Sequence, residues 1–434
     1  MQTTGQLRRQ IEDGAFDTTF GWLYPGAPGK EARARYLQAL EQFEAIYGAD
    51  RGALLVSAPG RTEIGGNHTD HQHGMVLAAA VNLDIICVVS PNAENSIRIQ
   101  SKGYPQDVVD LGDLSMRREE VNKAAAMIRG VAAWFSENGY QIGGLDAYTT
   151  SDVLSGSGLS SSAAFEVAVG NMLNLLYNDG AVDAARIAIA GKYAENKYFG
   201  KPSGLMDQMA SSVGGFVKID FADPDAPVVE PVPFDFAARG YHLCIVDTKG
   251  SHADLTPDYA AIPEEMRAVA GYFGKTCLRE VDEALFYQSL PQVRRQTGDR
   301  SVLRAIHFFD DNNCVPKQAK ALRDGDFPEF LRLIVASGNS SFTCLQNVFS
   351  CHSPQEQGVS LGLALSRRLL EQGGGAWRVH GGGFAGTMQA FVPDSLLAVY
   401  KAGMEAVFGE GACYVLSIRP VGGTAVTPEL AADA

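Results

Sequence analysis

No stretch of this 434-residue chain reaches the roughly 18 consecutive apolar residues that a membrane-spanning helix needs. The N-terminal MQTTGQLRRQIEDGAF lacks the apolar centre of a secretory signal, so a cytoplasmic protein is expected. The cysteines are seven, an odd number, widely spread and without a C-x-x-C pair, which excludes a disulfide framework and a thiolate zinc site. Clusters of lysine and arginine are missing too. With 36 basic against 50 acidic residues the net charge is −14, which argues against nucleic acid or an anionic membrane as a partner. An anionic ligand would need a site built locally.

What is present is an ordinary globular composition, 46% hydrophobic and 20% charged, with disorder expected only at the ends. Single cores stop growing at roughly 250–300 residues, so two domains are expected, 1–215 and 216–434. Residues 30–47 place Tyr36, Leu37, Leu40, Phe43 and Tyr47 at helical spacing before Gly48. ALLVSAPG then reads as a strand ending in a turn, and MVLAAAVNLDIICVVS as buried strands. FVKIDF and HLCIVDT look like strands of the second unit, AAIPEEMRAVAGYFGK and PKQAKALRDGDFPEFLRLIVASGN like long helical stretches. Helices and strands alternate without a βαβ beat, which points to an α+β fold.

Three stretches invite a nucleotide-binding reading. Gly274-Lys275-Thr276 mimics the end of a Walker A loop, but Val269 stands where that motif needs glycine. GGGFAG (381–386) fits G-x-G-x-x-G, yet strand-like TMQAFV follows instead of a helix. VLSGSGLSSSAAFEVAVGNMLNLLY (153–177) is different: a Gly/Ser loop opens a helix with Phe165, Val169, Met172, Leu173 and Leu176 on one face. The unpaired N–H groups and the dipole at such a helix start favour an anion, and glycine lets a phosphate approach the backbone. Ser160, Ser161 and Ser162 exceed what capping one helix requires.

Taken in order and spacing, APGRTEIGGNHTDHQHG (58–74), SGSGLSSSAA (155–164) and GGGFAGT (381–387) resemble the three signature motifs of the GHMP sugar and metabolite kinases, the first being of galactokinase type. The resemblance covers roughly residues 40–425. It implies a ribosomal-protein-S5-domain-2-like N-terminal part, a ferredoxin-like C-terminal part, a site between them, and a last strand near 414–426 that packs back on the first part. It also implies ATP and Mg2+ as cofactors and a sugar as acceptor, in a monomer or weak homodimer.

Carried over residue by residue, the resemblance makes Asp207 the carboxylate facing the anomeric hydroxyl and Arg61 its cationic neighbour. Gly156, Ser157, Gly158, Leu159, Ser160, Ser161 and Ser162 become the ATP phosphate loop, Ser162 and Glu195 the Mg2+ ligands, and Gly382, Gly383 and Phe384 part of a supporting glycine-rich loop. Asn67, His68, Asp70, Gly204 and Tyr259 become sugar contacts. Asn67 replaces the glutamate that galactokinases direct at the C6 hydroxyl, and GRTEIGG replaces the usual GRVNLIGE. An asparagine can donate to a C6 carboxylate that a glutamate repels, so a galacturonate-type substrate gains ground. The expected activity is phosphorylation of galactose at C1. The alternatives are a 1-kinase for galacturonate, N-acetylgalactosamine or arabinose, and a non-catalytic sugar sensor. The three histidines of 68–73 also permit a metal-binding reading, but on a strand or turn at most two would share a face.

Overall fold

The computed structural model describes residues 1–26, 29–153, 158–201, 203–224, 226–250 and 255–432. The larger, 9-stranded sheet takes in β1 (Gln2–Thr3), β2 (Gly52–Gly65), β3 (Met75–Pro91), β4 (Ser96–Ser101), β5 (Asp107–Asp110), β6 (Leu145–Ser151), β7 (Phe216–Asp220) and β8 (Val228–Val232). A 4-stranded antiparallel sheet, ordered β10-β11-β9-β12, holds β9 (Tyr241–Asp247), β10 (Ala376–Val379), β11 (Thr387–Pro393) and β12 (Cys413–Leu416). The chain then returns to the larger sheet, where β13 (Thr424–Ala425) pairs with β2.

The centre of the larger sheet is buried on both faces, and its side chains sort by alternation. Val56, Cys87 and Val89 join a core with the helices Ala124–Glu137 and Ser161–Tyr177. Leu55, Ile86, Val88 and Tyr148 point the other way, onto Tyr36, Leu40 and Phe43 of the helix Gly29–Tyr47. That helix matches the 30–47 expectation.

Several boundaries depart from the sequence reading. β2 does not turn at Pro59-Gly60 but continues to Gly65, absorbing the irregularity as register shifts between Pro59 and Arg61 and between Glu63 and Gly65. Phe216–Val232 does not open a second unit: β7 pairs with β3 and β8 with β7, so the change of sheet follows Val232, not residue 215. The closing segment divides, with β12 in the smaller sheet and β13 in the larger. The expected stretch from Pro316 is two helices, Asp299–Arg323 and Phe327–Ser340, parted at Asp324-Gly325-Asp326; Pro316 lies inside the first without ending it. The N-terminus is ordered: a capping box between Thr3 and Gln6 starts the helix Thr4–Glu12, which seals one side of the core with Leu7 and Ile11.

Candidate active site

The site begins with β2. Arg61 leaves this strand almost fully covered and grips Asp207 with two bonds, Nε to Oδ1 at 2.8 Å and Nη2 to Oδ2 at 2.7 Å. Asp207 stands in the first turn of the helix Met206–Val213, whose positive end faces its charge. Ser160 donates to the same carboxylate at 2.6 Å. Burial would raise the Asp207 pKa, but the charge and hydrogen bonds of Arg61, then Ser160 and Lys201, reverse this and hold it below the usual value. The aspartate therefore stays ionised, with its side chain 28% exposed to the cleft.

The Gly/Ser loop is clamped to the same strand. The Arg61 amide donates to Leu159 O at 3.0 Å, and Arg61 Nη1 donates to Gly158 O. A Cβ on Gly60 would meet Leu159 O at 2.8 Å, so the strand must be bare at this point. Gly158 and Ser160 have φ of 74° and 56°, and the helix Ser161–Tyr177 starts directly after them. Gly156 and Ser157 lie outside the described residues. Beside this helix start a cavity of about 790 Å3 opens, with Ser161, Ser162, Phe165, Thr149, Met127 and Tyr104 in its wall. No sequence motif pointed to that cavity.

Ser162 Oγ lies 3.3 Å from Glu195 Oε1. Neighbouring oxygens around an octahedral Mg2+ with bonds of about 2.1 Å are separated by about 3 Å, so this hydroxyl and carboxylate fit one such ion. Glu195 sits on a π-helical segment, Ala194–Phe199, that turns it inward. Lys201 contacts its Oε1 at 2.8 Å, while Ser203 and Gln208 donate to Oε2 at 2.6 and 2.9 Å. Behind it Glu166 is buried, and its pKa is raised by burial and by the charge of Glu195.

A second cavity, about 290 Å3, adjoins Asp207 and Arg61; Glu63, His68, Asp70, Lys201 and Gly204 share its wall. His68 is in the left-handed region (φ 59°) and its Nε2 lies 3.0 Å from Gly382 O, which makes that nitrogen the protonated one. Burial and His71 lower its pKa to about 4, so the ring is neutral. A Cβ on Gly204 would stand 2.6 Å from Asp70 Oδ2, which ties the glycine to that carboxylate's position.

The turn between β10 and β11 closes one side. Gly383 has φ 81°, and a Cβ there would fall 2.0 Å from Asn347 O. Tyr259 does not enter the cavity wall: its hydroxyl donates to Gly383 O at 2.9 Å and its ring meets Phe384 edge-on at 5.3 Å. It therefore acts on the cavity only through the loop it holds.

Asn67 is the main correction. Its side chain is fully buried, donating to Glu63 Oε1 at 2.9 Å and Gly381 O at 2.8 Å and accepting from Asn347 at 2.8 Å and Ser341 at 3.3 Å. Every polar atom of its amide is used inside the protein, so Asn67 lies behind the cavity wall, and Glu63 occupies the wall in front of it. Glu63, Lys201, Ser203 and Gln208 were not singled out from the sequence. Glu63 alone left a signal, as a charged residue where a strand pattern wants an apolar one. His68, His71 and His73 form no metal group; among the described residues the one cluster of metal-competent side chains is Asp258, Cys351 and His352.

Two family models match this chain: the galactokinase galactose-binding signature over residues 41–91, and the GHMP kinases N-terminal domain over residues 121–215. A galactokinase of Actinobacillus pleuropneumoniae serotype 3 is 30% identical over 360 residues, covering 82% of this chain and 89% of that one. The chain belongs to the galactokinase family. A second galactokinase, from Streptomyces coelicolor, is 30% identical over 369 residues, 85% of this chain and 89% of its own. The fold of this family member matches the crystal structure of Lactococcus lactis galactokinase complexed with galactose at a TM-score of 0.75 and 23% identity, over 90% of this chain and 99% of that one. No helix among the described residues is long and apolar enough to cross a membrane.

Proposed function

We propose that this chain transfers the γ-phosphoryl group of ATP to the anomeric C1 hydroxyl of galactose, giving galactose 1-phosphate and ADP. The observation that carries the reading is Asp207, held ionised by Arg61 and Ser160 in the wall of the smaller cavity. Phosphoryl transfer is mostly positioning and charge neutralisation, with a base taking the nucleophile's proton as the new bond forms. Asp207 accepts the proton of the C1 hydroxyl, which is more acidic than an ordinary alcohol. Arg61 keeps the carboxylate charged and faces the same oxygens.

The smaller cavity takes the sugar, with His68 and Asp70 as contacts and Gly204 offering backbone. The larger cavity takes the nucleoside, so that its phosphates meet the helix start at Ser161 and the amides of Gly158 to Ser162. Ser162 and Glu195 would hold Mg2+, which when bound neutralises charge on the phosphate oxygens. The loop Gly382, Gly383 and Phe384 supports the cleft from the opposite side. The chain reads as two units divided after residue 232, in a cytoplasmic enzyme that is a monomer or weak homodimer.

The test is ADP release with Mg·ATP and a panel of galactose, N-acetylgalactosamine, arabinose and galacturonate. Galactose is expected to turn over fastest. Absence of turnover with every sugar in the panel would overturn the reading.

A further inference from the structure

We propose that Glu63, not Asn67, reads the sugar hydroxyls farthest from the reacting carbon, and that its carboxylate makes the pocket reject a uronate. This rests on the galactose reading above. Arg61 and Glu63 lie two residues apart on a regular part of β2, paired with Ala80 and Ala78 of β3, so both leave the same face. At about 3.3 Å per residue they stand roughly 6.6 Å apart along the strand, close to the width of a pyranose ring. With C1 at Asp207 and Arg61, Glu63 lies where the C4 and C6 hydroxyls fall.

The two oxygens of Glu63 are not equivalent. Oε1 accepts from Asn67 Nδ2 and Arg378 Nη2, each at 2.9 Å. Oε2 has no protein partner among the described residues, and Glu63 belongs to the cavity wall. A buried carboxylate with one oxygen anchored and the other facing a cavity is placed to accept from a ligand hydroxyl. Asn67 cannot compete, because all its polar atoms are used and it is fully covered.

The same arrangement settles the charge of the substrate. Both cations of the wall are already paired, Arg61 with Asp207 at 2.7 Å and Lys201 with Glu195 at 2.8 Å. Where Glu63 is ionised, a C6 carboxylate would meet it with no free cation beside it, a like-charge contact. The negative charge absent from position 67 has moved four residues back, not disappeared.

The test is calorimetric binding and initial-rate kinetics on wild type, Glu63→Gln and Asn67→Ser, with galactose, 4-deoxygalactose, 6-deoxygalactose and galacturonate. Glu63→Gln is expected to weaken galactose binding roughly tenfold to a hundredfold, the loss of a hydrogen bond to a charged group, while kcat stays within about threefold. The weakening should shrink for whichever deoxy sugar lacks the hydroxyl that Glu63 holds, and galacturonate should gain. Asn67→Ser removes one anchor of Glu63 Oε1 but leaves Arg378 on it, and should move the galactose to deoxygalactose ratio less than Glu63→Gln does. An equal loss for all four sugars in Glu63→Gln, or a ratio moved by Asn67→Ser alone, would overturn the proposal. If Glu63→Gln fails to fold, Glu63→Asp keeps the charge on Arg378 and must still shift the ratio. Wild-type failure to phosphorylate galactose would sink the kinase reading, while the binding ratios would still decide the role of Glu63.

Discussion

Two arginine–aspartate centres lie at the larger sheet, and they use the same chemistry to opposite ends. At Asp84 every valence is filled: Arg419 contacts it at 2.8 Å and Arg35 at 2.5 Å, Tyr24 donates to it at 2.6 Å, and Ser57 adds a further bond. Asp84 and Arg419 are wholly inaccessible, and together they fasten the segment at Arg419 to Ser57 of β2, to β3, and to Tyr24 and Arg35 near the N-terminal helices. At Asp207 the pairing with Arg61 is just as close, but the carboxylate keeps one side open to a cleft. Burial pushes both pKa values up and the arginines bring both below normal, so ionisation alone does not tell them apart. What separates a fastening from a site is the unfilled coordination of Asp207.

The comparison breaks most sharply on Asp207→Asn. Losing a proton acceptor is expected to lower kcat by about a thousandfold, within the usual range for a general base, while the melting temperature moves little; rate assays with differential scanning fluorimetry check both. Asp84→Asn should do the reverse. Leaving Arg419 buried without its partner costs about 3–5 kcal/mol by urea unfolding, with KM and kcat of the folded fraction preserved. Since the Asp84 pKa is depressed in the fold, its stabilisation is present above the unfolded carboxylate value near 3.9 and is lost as pH falls through the lower folded value. The variant's unfolding should therefore lose that acid-limb dependence.

Between these extremes, Ser162→Ala removes one of the two groups proposed to hold Mg2+, and about tenfold more Mg2+ should be needed for half-maximal rate in a titration. At Glu63 burial outweighs Arg378 and Arg61, with Asp311 and Asp70 also facing it, and its pKa rises to about 7. As pH falls through that value the carboxylate gains a proton and accepts less well, so KM for galactose should rise several-fold toward acid. Glu63→Gln should flatten the profile, while His68, with its pKa near 4, contributes no inflection between them. The smallest effect is expected of Tyr259→Phe, which loses one neutral hydrogen bond to Gly383 and should raise KM by a few-fold at most.

The sequence exposed those parts of the site whose chemistry is local. A Gly/Ser loop opening an amphipathic helix announces an anion site by itself, and Gly29–Tyr47 declared itself by period. Arg61 and Asp207 are 146 positions apart, so their bond depends on how β2 meets the helix Met206–Val213, which no spacing reveals. Asn67 was misjudged for a related reason: its burial is set by Asn347, Ser341 and Gly381, all more than 270 residues away. The change of sheet falls after Val232 because β7 pairs with β3 and β8 with β7, partners chosen by the whole fold and not by local pattern. Glu63 was overlooked since a charge within a strand reads as a surface residue until a cavity is found beside it.

The central claim is tested most directly by phosphorus NMR of galactose incubated with Mg·ATP and each of three proteins: wild type, Asp207→Asn and Asp84→Asn. Wild type and folded Asp84→Asn are predicted to give the sugar 1-phosphate resonance, and Asp207→Asn, folded and stable, to form it about a thousandfold more slowly. A sugar phosphate formed by Asp207→Asn at the wild-type rate would contradict the account.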